Sequence, residues 1–382
     1  MWLGLIDSGS TARAPIGPRR RILHLIVSRR FAGSEQLMLT LAQVQRQAGH
    51  DVSVAIKPGG VLAERVRRAG FEPIPVALGR PWSGWRLARW LARNPVDVLH
   101  AHLSGAVKLA ERLGRRCGVP VAAHAHVYKK RPAYARLARQ GGLIAISRDI
   151  QRYYADYAGI ESEQLALILN GVDPRFDPGR VRVGQRDQLR EALGVGEQQH
   201  LLTLTGRLTR QKGGDLLIEA AARLHQQGWP IAVRLFGATH HDPAWARSLR
   251  QRIEQLQLQS VVRLAGFADD VPALMAASDI HVVPSRYEPF GLTAIEAMAM
   301  ACPVVAAKVG GLAEIIDDGD NGLLFVPEDV DDLAGKLAGL MQSPALRQRL
   351  ANQAAATVRA RYSASAMAEA VEQVYRRLLE AG

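Results

Sequence analysis

The stretch Asp279–Ala307, DIHVVPSRYEPFGLTAIEAMAMACPVVAA, decides the fold. A short β-branched run, "DIHVVPS", passes through the loop "RYEPFG" into a helical stretch, and a second apolar run, "PVVAA", follows. A strand, a helix and a strand in that order, with both strands apolar, predict a parallel pair buried on both faces. A helix starting near Gly291 leaves the amides of Phe290, Gly291 and Leu292 free at its positive end. Such an end favours a phosphate, and Gly291 permits close backbone approach. Glu288 precedes this end. Glu296 lies five residues past Gly291, about 7.5 Å farther along the axis.

The same alternation extends in both directions. On the N-terminal side the strand runs are "RILHLIV", "DVSVAI", "DVLHAH", "VPVAAHAHV" and "GLIAIS". Helical stretches fall between them, the first with Ser34 as expected N-cap and Gly49 as stop. The turn-rich segment Asn170–Asp187 breaks the rhythm and is expected to be the interdomain linker. The pattern then restarts with "LLTLTG", "GGDLLIEAAARLHQQG" and "IAVRLFG". The expected fold is therefore two tandem Rossmann-like parallel α/β domains, with ligand in the cleft between them at the strand carboxyl ends. The expected boundaries are a flexible tail over 1–20, an N-terminal domain over 21–178 and a C-terminal domain over 185–362. The amphipathic helix 364–382 is expected to rejoin the first domain.

A chain of 382 residues is too long for one core and suits two. Hydrophobic content of 48% with 22% charged residues is ordinary for a water-soluble chain, and no run is long enough to span a bilayer. The opening residues lack the pattern of a signal peptide. Two cysteines, Cys117 and Cys302, suit a reducing compartment and offer no metal spacing. The net charge of +13 is uneven: residues 1–180 hold 28 Lys and Arg against 13 Asp and Glu, so the excess lies in the N-terminal half. That half suits an anionic partner, whether phospholipid surface, phosphorylated glycan or nucleic acid, although no nucleic-acid recognition motif is present.

Neither domain has GxGxxG after its first strand, and no GxxxxGK[ST] occurs, so dinucleotide and P-loop chemistry are not indicated. The first strand of the second domain leads instead into "TGRLTRQKGGDLL". Arg207 leaves the strand end and Lys212 precedes a Gly-Gly turn. Two cations there form a diphosphate clamp, or else two solvated charges on a loop. Glu288 and Glu296 straddle the phosphate-binding helix start, and carboxylates accept hydrogen bonds from vicinal hydroxyls. The set fits a nucleotide sugar, one glutamate on ribose and one on the transferred hexose. The alternative for Glu296 is a residue favoured by the helix dipole.

These pieces, with "AGSEQLMLTLA", "VDVLHAH", "LNGVDPRFDP", "GFADDVPALMAASDIHVVPS" and "NGLLFVP", closely resemble a retaining glycosyltransferase of family 4 with the GT-B fold, of the lipopolysaccharide-core or surface-polysaccharide type. The resemblance implies that Glu288 contacts donor-sugar hydroxyls, Glu296 the ribose, and Arg207 and Lys212 the diphosphate. It implies that Gly33, preceded here by Ala32 instead of a glycine, approaches the diphosphate. It also places a histidine near the reacting carbon, His126, with His124 as the other candidate. A nucleoside-diphosphate sugar would be the co-substrate, with no metal and no other cofactor. Asp329 and Asp331 open a helix and are read as caps.

In "RPWSGWRLARWLARNP", a helical wheel gathers Trp82, Trp85, Arg86, Arg89, Trp90 and Arg93 on one face, opposite Leu87, Ala88, Leu91 and Ala92. Two readings fit: a helix lying on an anionic membrane surface, or packing tryptophans flanked by solvated arginines. The first goes with a peripheral attachment to the cytoplasmic face of the inner membrane and a glycan or lipid-linked acceptor.

Overall fold

The computed structural model describes residues 17–76, 83–129, 132–239, 242–268 and 270–381. The first sheet contains β1 Arg21–Ile26, β2 Asp51–Ile56, β3 Pro73–Pro75, β4 Val98–His102, β5 Val121–Ala125, β6 Leu143–Ala145 and β7 Leu165–Leu167. Its order is β3-β2-β1-β4-β5-β6-β7, and every pairing is parallel. The second sheet contains β8 His200–Thr205, β9 Ile231–Phe236, β10 Val262–Gly266, β11 Ile280–Val283, β12 Val304–Ala307 and β13 Leu323–Phe325. Its order is β10-β9-β8-β11-β12-β13, again all parallel. Two tandem Rossmann-like α/β units are what the alternation predicts, and they fit the GT-B arrangement that the family resemblance implies. The strand order reverses between β1 and β4 and between β8 and β11, so each sheet opens a crevice there at its carboxyl edge.

The strands are continuously apolar because helices cover both faces. Leu23, Leu25, Val54, Leu99, Leu202, Val233, Val282 and Val305 are all buried. Each such side chain contributes about 1.5–3 kcal/mol relative to exposure. The C-terminal helix Ala364–Glu380 lies on the first sheet, its Met367, Val371 and Tyr375 packing with Leu37 and Leu41 of the helix Gly33–Gln47. Arg20 is tied to it through Glu372, with Nε 2.6 Å from Oε1.

Three local expectations change. The helix expected to be capped by Ser34 begins at Gly33, because Glu35 reaches back to accept the Ala32 amide at 3.2 Å and the Ser34 hydroxyl at 3.0 Å. The expected linker is a built segment. Val172 bridges to Ser363, Pro178–Arg180 forms a short turn and Gln185–Ala192 a helix. In the helix Ser83–Arg93, Leu87 and Leu91 are buried and Trp85, Arg86, Arg89 and Arg93 are exposed, but Trp90 is half-buried against the core and Ala92 faces solvent. Trp82 lies outside the described residues. Asp329 caps the helix Val330–Gln342, accepting the amides of Asp331 and Asp332.

Candidate active site

The second sheet builds its side of the cleft from two adjacent strand ends. After β8 the chain turns at Gly206, passes Arg207 and reaches Lys212 in the turn Arg210–Lys212. Gly213 follows with φ +65°, and a Cβ there would lie 1.9 Å from the Pro284 carbonyl oxygen. Only glycine allows this turn to pack against the end of β11. As a result the Lys212 ammonium donates to Glu288 Oε2, which also accepts from the Ser285 hydroxyl at 3.2 Å. Gln211 donates to the Tyr287 carbonyl at 3.1 Å and accepts from Arg207 at 3.5 Å. Arg286 grips both oxygens of Asp215, at 2.9 and 2.7 Å, and fixes the loop from behind.

Gly291, at φ +118°, caps the helix Leu292–Ala299. The first helical bond there runs from the Ala294 amide to the Gly291 carbonyl at 3.0 Å, so the preceding amides carry the positive helix end. Phe290 is buried against Tyr362, ring centroids 6.1 Å apart. The glutamate on the second turn, Glu296, is also buried. Burial pushes its carboxyl up to about 8. The Arg175 guanidinium opposes that rise, Asp173 adds to it and Lys212 opposes it.

Across the cleft, a Cβ added at Gly33 would lie 3.6 Å from Leu292 Cδ2. Ser147 donates to the Pro289 carbonyl at 2.6 Å, and Glu314 accepts the Arg148 and Asp149 amides at 2.8 and 2.6 Å. Arg207, Lys212, Glu288, Phe290, Gly291, Leu292, Glu296 and Gly33 thus meet in one place. His126 lies just past the end of β5, and Tyr128, two residues on, reaches the Gly310 turn that packs on the Glu288 carbonyl. Among the described residues, the side chains of the helix Ser83–Arg93 make no hydrogen bond or ion pair to these residues.

Residues the sequence reading missed complete the floor. Gln36 donates to Asp173 at 2.6 Å and accepts from Arg175 at 3.2 Å, while Arg175 and Asp173 set the field around Glu296. Both charges belong to "VDPRF", inside the segment Asn170–Asp187 expected to be the interdomain linker. A paired acid and base inside a turn-rich stretch was the available signal.

The histidine pairs form a larger structure. His24, His100, His102, His124 and His126 stack on one face of β1, β4 and β5, with neighbouring ring centroids 4.6 to 5.5 Å apart. Four of them are fully buried and His126 retains 7% exposure. Burial pushes His24 and His126 down to about 4 and holds the other three well below the usual histidine value, so all are neutral near pH 7.

Two family models match the chain in tandem. The one described as Glycosyltransferase Family 4 spans residues 31–176, and Glycosyl transferases group 1 spans 185–357. The chain belongs to this family of glycosyltransferases and is an enzyme of that class. A D-inositol 3-phosphate glycosyltransferase of Saccharomonospora viridis is 30% identical over 86% of this chain and 82% of its own length. Among solved structures, the Rickettsia africae ESF-5 glycosyltransferase aligns with a TM-score of 0.86 at 20% identity, covering 95% of this chain and 100% of that one. Anabaena Alr3699/HepE, solved with UDP-glucose, aligns with a TM-score of 0.82 at 24% identity, covering 95% and 99%. Matches to curated relatives span 56 to 82% of those proteins' length. Among the described residues no helix is long and apolar enough to cross a membrane.

Proposed function

We propose that this glycosyltransferase moves a sugar, with retention, from a nucleoside-diphosphate sugar to a cell-surface glycan. A UDP-sugar is the favoured donor, and lipopolysaccharide core or another lipid-linked saccharide the favoured acceptor. The observation that carries this reading is the meeting of Lys212 and Glu288 at the β8/β11 switch point, beside the positive end of the helix Leu292–Ala299. One group neutralises phosphate, the other accepts sugar hydroxyls, and they share one spot. The likeness to an enzyme solved with UDP-glucose supports the choice of donor.

In this reading the bond from the anomeric carbon to the diphosphate breaks, and a bond to the acceptor oxygen forms on the same face. The acceptor's proton passes to the leaving phosphate oxygen. Arg207, Lys212 and the helix amides stabilise the developing diphosphate charge without a metal. Glu288 holds the sugar and Glu296 the ribose. A second reading of the acceptor, a small phosphorylated polyol, is favoured by the Saccharomonospora viridis relative and fits the basic N-terminal half.

Donor hydrolysis across UDP-, GDP- and ADP-sugars tests the donor class, and adding inositol phosphate or lipopolysaccharide core tests the acceptor. One donor should turn over, and Glu288→Ala should lose most of that turnover. Normal turnover by Glu288→Ala would overturn the role given to Glu288.

A further inference from the structure

The five stacked histidines are joined, through Gln45 and Tyr375, into one hydrogen-bonded chain. His126 Nε2 lies 3.3 Å from His102 Nδ1, and His102 Nε2 lies 3.1 Å from His24 Nδ1. His24 Nε2 lies 2.7 Å from Gln45 Oε1. The Gln45 amide donates to the Tyr375 hydroxyl at 3.2 Å, and that hydroxyl bonds to His100 Nδ1. His100 Nε2 lies 2.7 Å from His124 Nδ1, and His124 Nε2 ends the chain buried and unpartnered.

A neutral imidazole has one N–H and one lone pair. Fixing the polarity of one link therefore fixes every link beyond it. Gln45 presents its oxygen to His24, so His24 carries its proton on Nε2 and accepts on Nδ1. His102 must then be protonated on Nε2 and accept on Nδ1, and His126 must donate from Nε2. In the other direction Tyr375, having accepted from Gln45, donates to His100 Nδ1, and His100 passes an N–H to His124. His126 Nδ1 is left with a bare lone pair and no hydrogen-bond partner among the described residues. It is the histidine of the five that keeps some exposed surface, and it follows the carboxyl end of β5.

We propose that Gln45 and Tyr375 are positioning residues that act through this chain to hold His126 in its Nε2–H tautomer, with Nδ1 offered to the cleft as an acceptor for a sugar hydroxyl. Gln45 sits on the helix Gly33–Gln47 and Tyr375 on the C-terminal helix. The tautomer of a cleft residue is thus set by the docking of the last helix of the chain. The sugar-hydroxyl part rests on the proposed function; the tautomer part does not.

The test is long-range nitrogen–proton NMR on the full chain labelled with ¹⁵N-histidine, compared with Gln45→Met and Tyr375→Phe. His126 should show a single Nε2–H tautomer in the unaltered chain and a mixture of both tautomers in Gln45→Met. If Gln45→Met fails to fold, Tyr375→Phe, which frees the amide to turn, should show the same mixing. In donor hydrolysis the folded variants should lose about tenfold in kcat at unchanged donor KM, the scale of one hydrogen bond. An Nδ1–H tautomer in the unaltered chain, or a His126 signal unmoved in folded variants, would overturn the proposal. So would a stoichiometric metal on the purified protein, since ring nitrogens of His102, His124 and His126 lie within 4.8 Å of one another. These spectra need no substrate, so a failed donor assignment leaves them interpretable.

Discussion

At the scale of single residues, the two glutamates of "EPFGLTAIE" have different chemistry. Glu288 is held by Lys212 and Ser285, whereas Glu296 is buried where its charged form is disfavoured. A carboxyl with an ordinary value of 4.5 when unfolded and about 8 when folded keeps its proton longer in the fold. Between those values the folded chain binds more protons, so stability falls as pH rises from about 4.5 to about 8. Glu296→Gln should therefore raise the melting temperature at pH 8 and leave it nearly unchanged at pH 5, while weakening donor binding. Equal stabilisation at both pH values would show that the carboxyl is not strained by burial. Lys212→Ala removes a cation from the diphosphate site and leaves Glu288 without its partner. Steady-state hydrolysis should show a loss of about 10²–10³ in kcat. The placement of both glutamates was legible in the sequence because it depends on local spacing around one helix start. Asp173, Arg175, His24 and Tyr375 were not, because their partners lie far away along the chain. The Gln36–Asp173 contact, for one, spans 137 residues.

At the scale of elements, strand and helix alternation was readable because buried parallel strands are apolar on both faces, a pattern that survives without tertiary context. Helix starts were less so. Ser34 is a good cap by type, but the Glu35 carboxylate satisfies the Ala32 amide and moves the start back by one residue. A wheel of the helix Ser83–Arg93 puts Trp85 and Trp90 on one outward face, but it cannot show that Trp90 packs partly buried against the core. Glycines divide in the same way. Gly213 and Gly228 both have positive φ, +65° and +80°, but a Cβ at Gly228 meets nothing within 4 Å while one at Gly213 strikes the Pro284 carbonyl. Gly228→Ala should cost only about 1 kcal/mol, the backbone penalty alone. Gly213→Ala should separate the Lys212 turn from β11, lowering both stability and kcat/KM by clearly more than the control. Urea denaturation of the two variants side by side checks this, and matching midpoints would refute the steric account.

At the scale of the whole molecule, charge divides the chain into unlike halves. The histidine chain draws its rings from β1, β4, β5 and the residue just past β5. Its members titrate near 6.5 when unfolded, while His24 and His126 resist protonation down to about 4 in the fold. As pH falls from 6.5 towards 4 the unfolded chain takes up protons that the fold refuses, so stability is lost across that window. For His24 alone the full loss is about 3 kcal/mol. Thermal scans from pH 7 to 4.5 should show a steep decline, reduced in His24→Gln, and a flat profile would contradict the buried neutral rings. The excess positive charge also lies in the N-terminal half, where Trp85 stands 52% exposed beside exposed Arg86 and Arg89, the Arg89 guanidinium 5.5 Å from the Trp85 ring centroid. On the membrane-surface reading of the helix Ser83–Arg93, this helix is the anchor. Each arginine near an anionic surface contributes about 1 kcal/mol, so losing two should weaken partitioning about 30-fold. Flotation with phosphatidylglycerol vesicles should therefore carry the protein at low salt and release it at high salt, where charges are screened. The variant Trp85→Ala/Arg86→Ala/Arg89→Ala should fail to float at low salt. Undiminished flotation by that variant would move the anchor elsewhere on the basic domain, and no flotation by the unaltered chain would leave these tryptophans and arginines as a packed helix with a solvated face.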